Sequence, residues 1–122
     1  MNERLSKGTT YLDPIAVAKE MVQELEQKKC DLIICLSHLG YKYDGKKVSD
    51  HTLAEGVNGI DLIIGGHTHT FLEKPVVHKN RLGHETIINQ VGWAGVRLGR
   101  IDYGFNKKRS RIIKTSAPIT IS

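Results

Sequence analysis

No stretch of this chain approaches the roughly 18 or more consecutive apolar residues that argue for a membrane span. The first residues, Met1-Asn2-Glu3-Arg4-Leu5-Ser6-Lys7, also lack the apolar core of a secretory signal. As written the chain is expected to stay in the cytoplasm, whereas a signal lost upstream would make it an exported, periplasmic protein. Cysteine is nearly absent, with Cys30 and Cys35 the only two. Cys30 falls at an expected helix end and Cys35 inside an apolar strand, so both are read as free thiols, and their spacing argues against a zinc knuckle. Aromatic residues are few as well: the seven Phe, Trp and Tyr do not interleave with basic residues as a stacking platform requires. The formal charge of +5 therefore does not amount to a nucleic-acid surface. Lys28-Lys29 and Lys46-Lys47 are scattered pairs, and Lys107-Lys108-Arg109 with Arg111 falls where a hairpin turn is expected. No repeat or low-complexity segment stands out, and neither a nucleic acid nor a membrane is expected as a partner.

What is present is an ordinary soluble composition: 122 residues, 39% hydrophobic and 25% charged. That length supports one domain with a modest core. Residues 1–12 read as a lead-in. Asp13-Pro14 then starts a helix, Asp as N-cap and Pro at the first helical position. Ile15, Ala18, Met21, Val22 and Leu25 form its apolar stripe, and it ends near Lys28-Lys29. Residues 31–36 form a continuous apolar run, read as a strand covered on both faces. A polar loop over 41–48 leads to a short helix capped by Ser49 or Asp50 and running to about Val57. Asn58-Gly59 turns into the strand over 60–64.

Residues 13–65 thus read as helix, strand, helix, strand. A right-handed crossover makes the two strands parallel neighbours, with their carboxyl ends on one edge of the sheet, where open α/β sheets place ligands. After Thr70 the character becomes β: 75–78 and 85–90 are strand candidates around a turn at 79–83. Residues 96–105 read as a longer strand with a bulge at Gly99-Arg100, where the apolar parity slips. Residues 112–121 form a last, broken strand pairing back across the basic turn.

Histidines stand at both strand ends. Four apolar residues among positions 60–64 stop at Gly65-Gly66, and His67-Thr68-His69 follows. In an extended segment side chains two apart share a side, so His67 and His69 can aim into one volume, with the glycines leaving room for a ligand. Imidazole is the commonest protein metal ligand. Two solvated loop histidines are the alternative. His38, at the end of 31–36, would converge on the same edge. Tyr41, Tyr43 and Trp93 read as packing residues, with a place lining a substrate cleft as the second reading.

Residues 40–47, Gly-Tyr-Lys-Tyr-Asp-Gly-Lys-Lys, match seven of the eight places of a phosphate-binding loop after a strand. Lys47 stands where a Ser or Thr must hold magnesium, and no helix begins directly beneath, so that reading is rejected.

Three ordered motifs, Cys-Asp-Leu-Ile-Ile-Cys-Leu-Ser-His-Leu-Gly at 30–40, Gly-Ile-Asp-Leu-Ile-Ile-Gly-Gly-His-Thr-His-Thr at 59–70 and Asn-Gln-Val-Gly-Trp-Ala-Gly-Val-Arg-Leu-Gly-Arg at 89–100, resemble the calcineurin-like metallophosphoesterases, in particular their 5′-nucleotidase branch. The resemblance runs from about Tyr11 to Tyr103. It implies an α/β fold, here half of a four-layer α-β-β-α sandwich: an αβαβ part over 13–70 carrying the histidines and a β-rich part over 71–122. It implies hydrolysis of a nucleotide or other phosphate monoester in nucleotide catabolism, with divalent zinc, manganese or iron. His38 and His67 would ligate one metal and His69 the other, while His51, His78 and His84 match no ligand position and are expected at the surface.

The family's first half also supplies Asp-x-His, Gly-Asp and Gly-Asn-His motifs, and none is here. None of the six aspartates is followed two places on by His, and none is preceded by Gly. Three histidines without a bridging carboxylate cannot build the dinuclear centre, so the chain resembles the C-terminal half of a catalytic domain and is expected to be inactive alone. A half sandwich would leave sheet face and strand edge uncovered, which predicts association with itself or with a chain bearing the missing half. The alternative is a non-catalytic remnant or subunit that acts only through such association.

Overall fold

The computed structural model describes residues 8–106 and the backbone of 111–115 and 119–120. Helix α1 (Pro14–Gln27) starts as its sequence dictates: the Asp13 carboxylate accepts a hydrogen bond from the Ile15 amide at 3.0 Å, and Pro14 occupies the first turn. It ends in a Schellman turn, with Lys29 N–H donating to the Glu26 carbonyl and Cys30 N–H to that of Leu25. Lys29 holds the left-handed φ of 59° that glycine usually takes there. Val22 is buried, and Ile15, Ala18 and Leu25 pack beside it; Met21, expected in the same stripe, is exposed.

Strand β1 (Ile34–Leu36) runs parallel to β2 (Leu62–Ile64), with α2 (Asp50–Gly56) between them in sequence. Ser49 caps α2 through a reciprocal pair with Thr52. Strands β3 (Val76–Lys79) and β4 (Glu85–Asn89) form an antiparallel hairpin, and β4 lies parallel on the other side of β2. The sheet order β1-β2-β4-β3 therefore brings the carboxyl ends of β1, β2 and β4 to one edge. One face of this sheet packs Ile33, Ile63 and Ile88 against Val22, Leu53, Ala54, Val57 and Ile60.

The opposite face departs from expectation. Ile34 and Leu36 are 46% and 79% exposed, and Ile64 is 46% exposed, so the run at 31–36 is covered on one face only. Its alternate residues, Ile33 and Cys35, turn inward, as the two-residue period of a strand requires. β1 is also an edge strand.

The expected long strand at 96–105 is two strands with different partners. β5 (Arg97–Leu98) pairs with β8 (Ile119–Thr120), and β6 (Ile101–Phe105) pairs with β7 (Arg111–Thr115). The parity slip at Gly99-Arg100 marks a change of sheet and no bulge. A Cβ at Gly99 would stand 2.6 Å from Asn89 Nδ2 and 2.9 Å from Val91 Cγ1, so the backbone crosses the end of β4 too closely for a side chain. The last strand is likewise split into β7 and β8, and the basic cluster at 107–109 lies outside the described residues. Cys30 and Cys35 are free, and burial pushes the Cys35 thiol up, with the Asp50 charge adding to it. No helix among the described residues is long and apolar enough to cross a membrane.

The two faces of the sheet predict opposite tolerance. Ile88→Ala should cost about 2–5 kcal/mol by urea unfolding, whereas Leu36→Ala should stay within about 0.5 kcal/mol.

Candidate functional site

The edge formed by β1, β2 and β4 carries three loops, and all three sequence-predicted histidines stand on it. His38 lies two residues beyond β1, and its ring centre is 5.2 Å from that of His67 with the planes at 71°. The second glycine of the pair leaves room for this approach: a Cβ on Gly66 would stand a tight 3.2 Å from His38 Nδ1. His69 goes elsewhere, stacking on Trp93 with ring centres 6.0 Å apart and planes within 15°. Trp93 is 60% exposed, so it shields a histidine and does not pack in the core.

The segment that carries His67 and His69 is not extended as expected. Their φ angles are 74° and 52°, both left-handed, which costs roughly 1–2 kcal/mol per residue. The His67 ring stands by His38 and the His69 ring by Trp93.

Beneath the loops lies a polar cluster that sequence reasoning missed. Asp50, the first residue of α2, is fully buried, and its Oδ1 accepts a hydrogen bond from Ser37 Oγ at 2.5 Å. Its Oδ2 packs where a Cβ on Gly65 would be, with no donor in good geometry. Burial raises the Asp50 carboxyl above the usual range, against the opposing pull of the Ser37 and Gln90 side chains. Gln90 is 2% exposed; its Nε2 donates to the Gly66 carbonyl at 3.0 Å, and its Oε1 accepts from Thr68 Oγ1 at 3.0 Å and Thr70 N–H at 2.6 Å. The available signal was a polar residue directly after two of the parallel strands, Ser37 after β1 and Gln90 after β4, with a glycine pair after β2.

The donor set suits a metal ion in kind. Two neutral imidazoles bound to one zinc at about 2.0–2.1 Å keep their ring centres within about 6 Å, and the His38–His67 pair meets that limit. The set is incomplete in number. Among the described residues no three His, Cys, Asp or Glu gather in a group that could hold a metal.

The remaining histidines are half-buried rather than at the surface. His78 Nε2 is 3.0 Å from Glu55 Oε2, and His84 Nε2 lies 3.0 Å from the Ile60 carbonyl oxygen and 3.2 Å from the Gly59 amide. His51 packs edge-on between Tyr41 and His78, with ring centres at 4.7 and 5.3 Å. Tyr43 donates to the Leu39 carbonyl and carries Lys47 Nζ 4.0 Å above its ring, so the loop at 40–47 is tied to itself and does not arch over a phosphate. Burial lowers the His51 pKa first, and the neighbouring His78 and Lys42 charges lower it further. Its neutral form is favoured in the fold. The stability it contributes is complete above about pH 6.5 and is lost as pH falls through the lowered folded value. The urea midpoint should thus fall more steeply below pH 6.5 in the wild type than in His51→Gln; equal slopes would contradict that account.

Comparison with known proteins agrees with this geometry. The model of the calcineurin-like phosphoesterase family matches residues 3–71. The trifunctional nucleotide phosphoesterase protein YfkN of Bacillus subtilis is 39% identical over 103 residues, covering 84% of this chain and 6% of that protein. A 5′-nucleotidase of Vibrio vulnificus is 34% identical over 122 residues, covering 84% of this chain and 22% of its own length. The crystal structure of a 5′-nucleotidase precursor from Thermus thermophilus superposes with a TM-score of 0.75 at 31% identity, over 91% of this chain and 23% of that one. The NAD nucleotidase of Haemophilus influenzae, at 24% identity and a TM-score of 0.74 over 92% of this chain and 24% of its own, shares the fold. This chain therefore spans less than a quarter of the length of each. With its mostly parallel sheet and its histidines at the strand ends, the chain belongs to the calcineurin-like phosphoesterase family.

Proposed function

We propose that the chain, as a single partial domain over 1–122, contributes the histidine side of a 5′-nucleotidase-type phosphoester hydrolase site, the C-terminal half of the catalytic domain. The observation that carries this reading is the His38–His67 pair, 5.2 Å apart at the ends of adjacent parallel strands. His38 and His67 would hold one divalent ion, of zinc, manganese or iron type, and His69 would face a second. Bound there, such ions polarise phosphoryl oxygens and lower the pKa of a bound water. The protein's own part is to hold the imidazoles exposed at the strand ends. Trp93 holds the His69 ring from one side.

The substrate in this reading is a nucleotide or another phosphate monoester, as the names of the relatives suggest. The remaining metal ligands would come from outside the described residues, either on a complementing chain bearing the other half or on a second copy. Exposed Ile34, Leu36 and Ile64, on the strands that lead to the histidines, support an association that covers them. A second reading, a subunit that acts only by associating, is favoured by the lack of any three metal-binding side chains in one group among the described residues.

The two readings separate in one experiment. On the first, the isolated chain binds Zn²⁺ weakly in calorimetry, His67→Ala abolishes that binding, and hydrolysis of a nucleoside monophosphate appears only when the half bearing the carboxylates is added. Zinc binding that survives His67→Ala would overturn the site. Binding of the added half without any turnover would leave the second reading standing.

A further inference from the structure

Gln90 is bonded to the histidine loop at three points. Its amide nitrogen reaches the Gly66 carbonyl, and its amide oxygen reaches Thr68 Oγ1 and Thr70 N–H. These are alternate residues, and they bracket each histidine: 66 and 68 flank His67, 68 and 70 flank His69. Both histidines hold left-handed φ angles, 74° and 52°, which non-glycine residues keep only where the surroundings impose them. We propose that Gln90 is the positioning residue of the histidine edge, setting the backbone of residues 66–70 so that His67 turns to His38 and His69 to Trp93.

Both ends of the amide are used. The oxygen faces two donors and the nitrogen faces a carbonyl, so a glutamate could satisfy only the oxygen side and a methionine neither, although each fills nearly the same space. Thr68 Oγ1 carries the link onward. It also accepts from the Tyr41 amide at 3.0 Å, in the loop that follows His38, while Ser37 on the other flank of His38 is held by Asp50. Two sets of hydrogen bonds thus flank His38 on the buried side of the edge, the Ser37–Asp50 pair and a larger set that branches at Gln90. The position follows from the fold: β4 ends at Asn89, so the next side chain falls at the carboxyl edge beside β2. This assignment deepens the metal-site reading above and depends on it only for the second of two readouts.

The test is Gln90→Met in the full chain, read without metal by NMR and with Zn²⁺ alone by calorimetry. The strong amide-to-Hα cross-peak that marks left-handed φ should weaken at both His67 and His69, and zinc affinity should fall about 10- to 100-fold, the scale of lost outer-shell support. Gln90→Glu keeps the oxygen side, so His69 should retain its cross-peak while His67 loses it. A lower melting temperature with both cross-peaks and the zinc affinity unchanged would show that Gln90 only packs, and would overturn the proposal. If the wild-type chain takes up no zinc, the metal reading fails and the cross-peaks still decide the role of Gln90. Should Gln90→Met not fold, Thr68→Val removes one link of the same set: weakened cross-peaks at His67 and His69 support the assignment, and unchanged ones refute it.

Discussion

The hydroxyl of Ser37 on the buried carboxylate of Asp50 is the contact on which the functional edge depends. Three parallel strands ending side by side leave their following loops to be joined at a place that water reaches poorly. A buried carboxylate is costly there unless donors surround it. Asp50 opens α2, Ser37 follows β1, and Gly65, against which the second carboxylate oxygen rests, follows β2. One side chain thereby fixes the helix start against two strand ends. The arrangement also explains Gly65 without appeal to flexibility, because a Cβ there would occupy the space of the carboxylate oxygen.

On this base the chain holds strained residues. Left-handed histidines are expensive in isolation, and they stand here on backbone laced to its neighbours: Gly65 N–H donates to the Asn89 carbonyl, Leu72 N–H to that of Gln90, and Gly92 N–H to that of Thr70, each within 3.1 Å. A loop carrying function on a rigid scaffold is the usual outcome of such anchoring. The strain is local, and the core that offsets it is the helix-covered face of the sheet, where Ile63 and Ile88 are fully buried.

Much of this was legible in the sequence, for reasons that differ by element. The Asp13-Pro14 start, the Ser49 cap and the order helix, strand, helix, strand rest on local chemistry, and they stand in the structure, with the first strand beginning at Ile34 and not at Asp31. His38 and His67 were placed together by topology, since parallel neighbours share an edge. The conformation that brings them there was not legible, because a tertiary hydrogen-bond set overrides the extended geometry that His-x-His suggests. The single-face burial of 31–36 was hidden for another reason: an unbroken apolar run has no period to reveal which side is covered. At Gly99 the apolar parity slip was visible, yet choosing between a bulge and a change of partner requires knowing what lies under the glycine.

The exposed face and the incomplete site are physically one problem. Leu36, the most exposed apolar residue of β1, is two positions from His38, and β1 is one of the two edge strands of the four-stranded sheet. A further strand pairing beside Ile34–Leu36 would end next to the histidines. On the proposed reading, whatever buries the apolar face would also bring side chains to the edge that carries His38 and His67. Covering the face and completing the donor set would then be a single event, with the hydrophobic burial supplying the free energy and the histidine pair supplying the direction. A site built this way stays weak until its scaffold is complete, because the same contact that stabilises the sheet brings the charges that hold the ion.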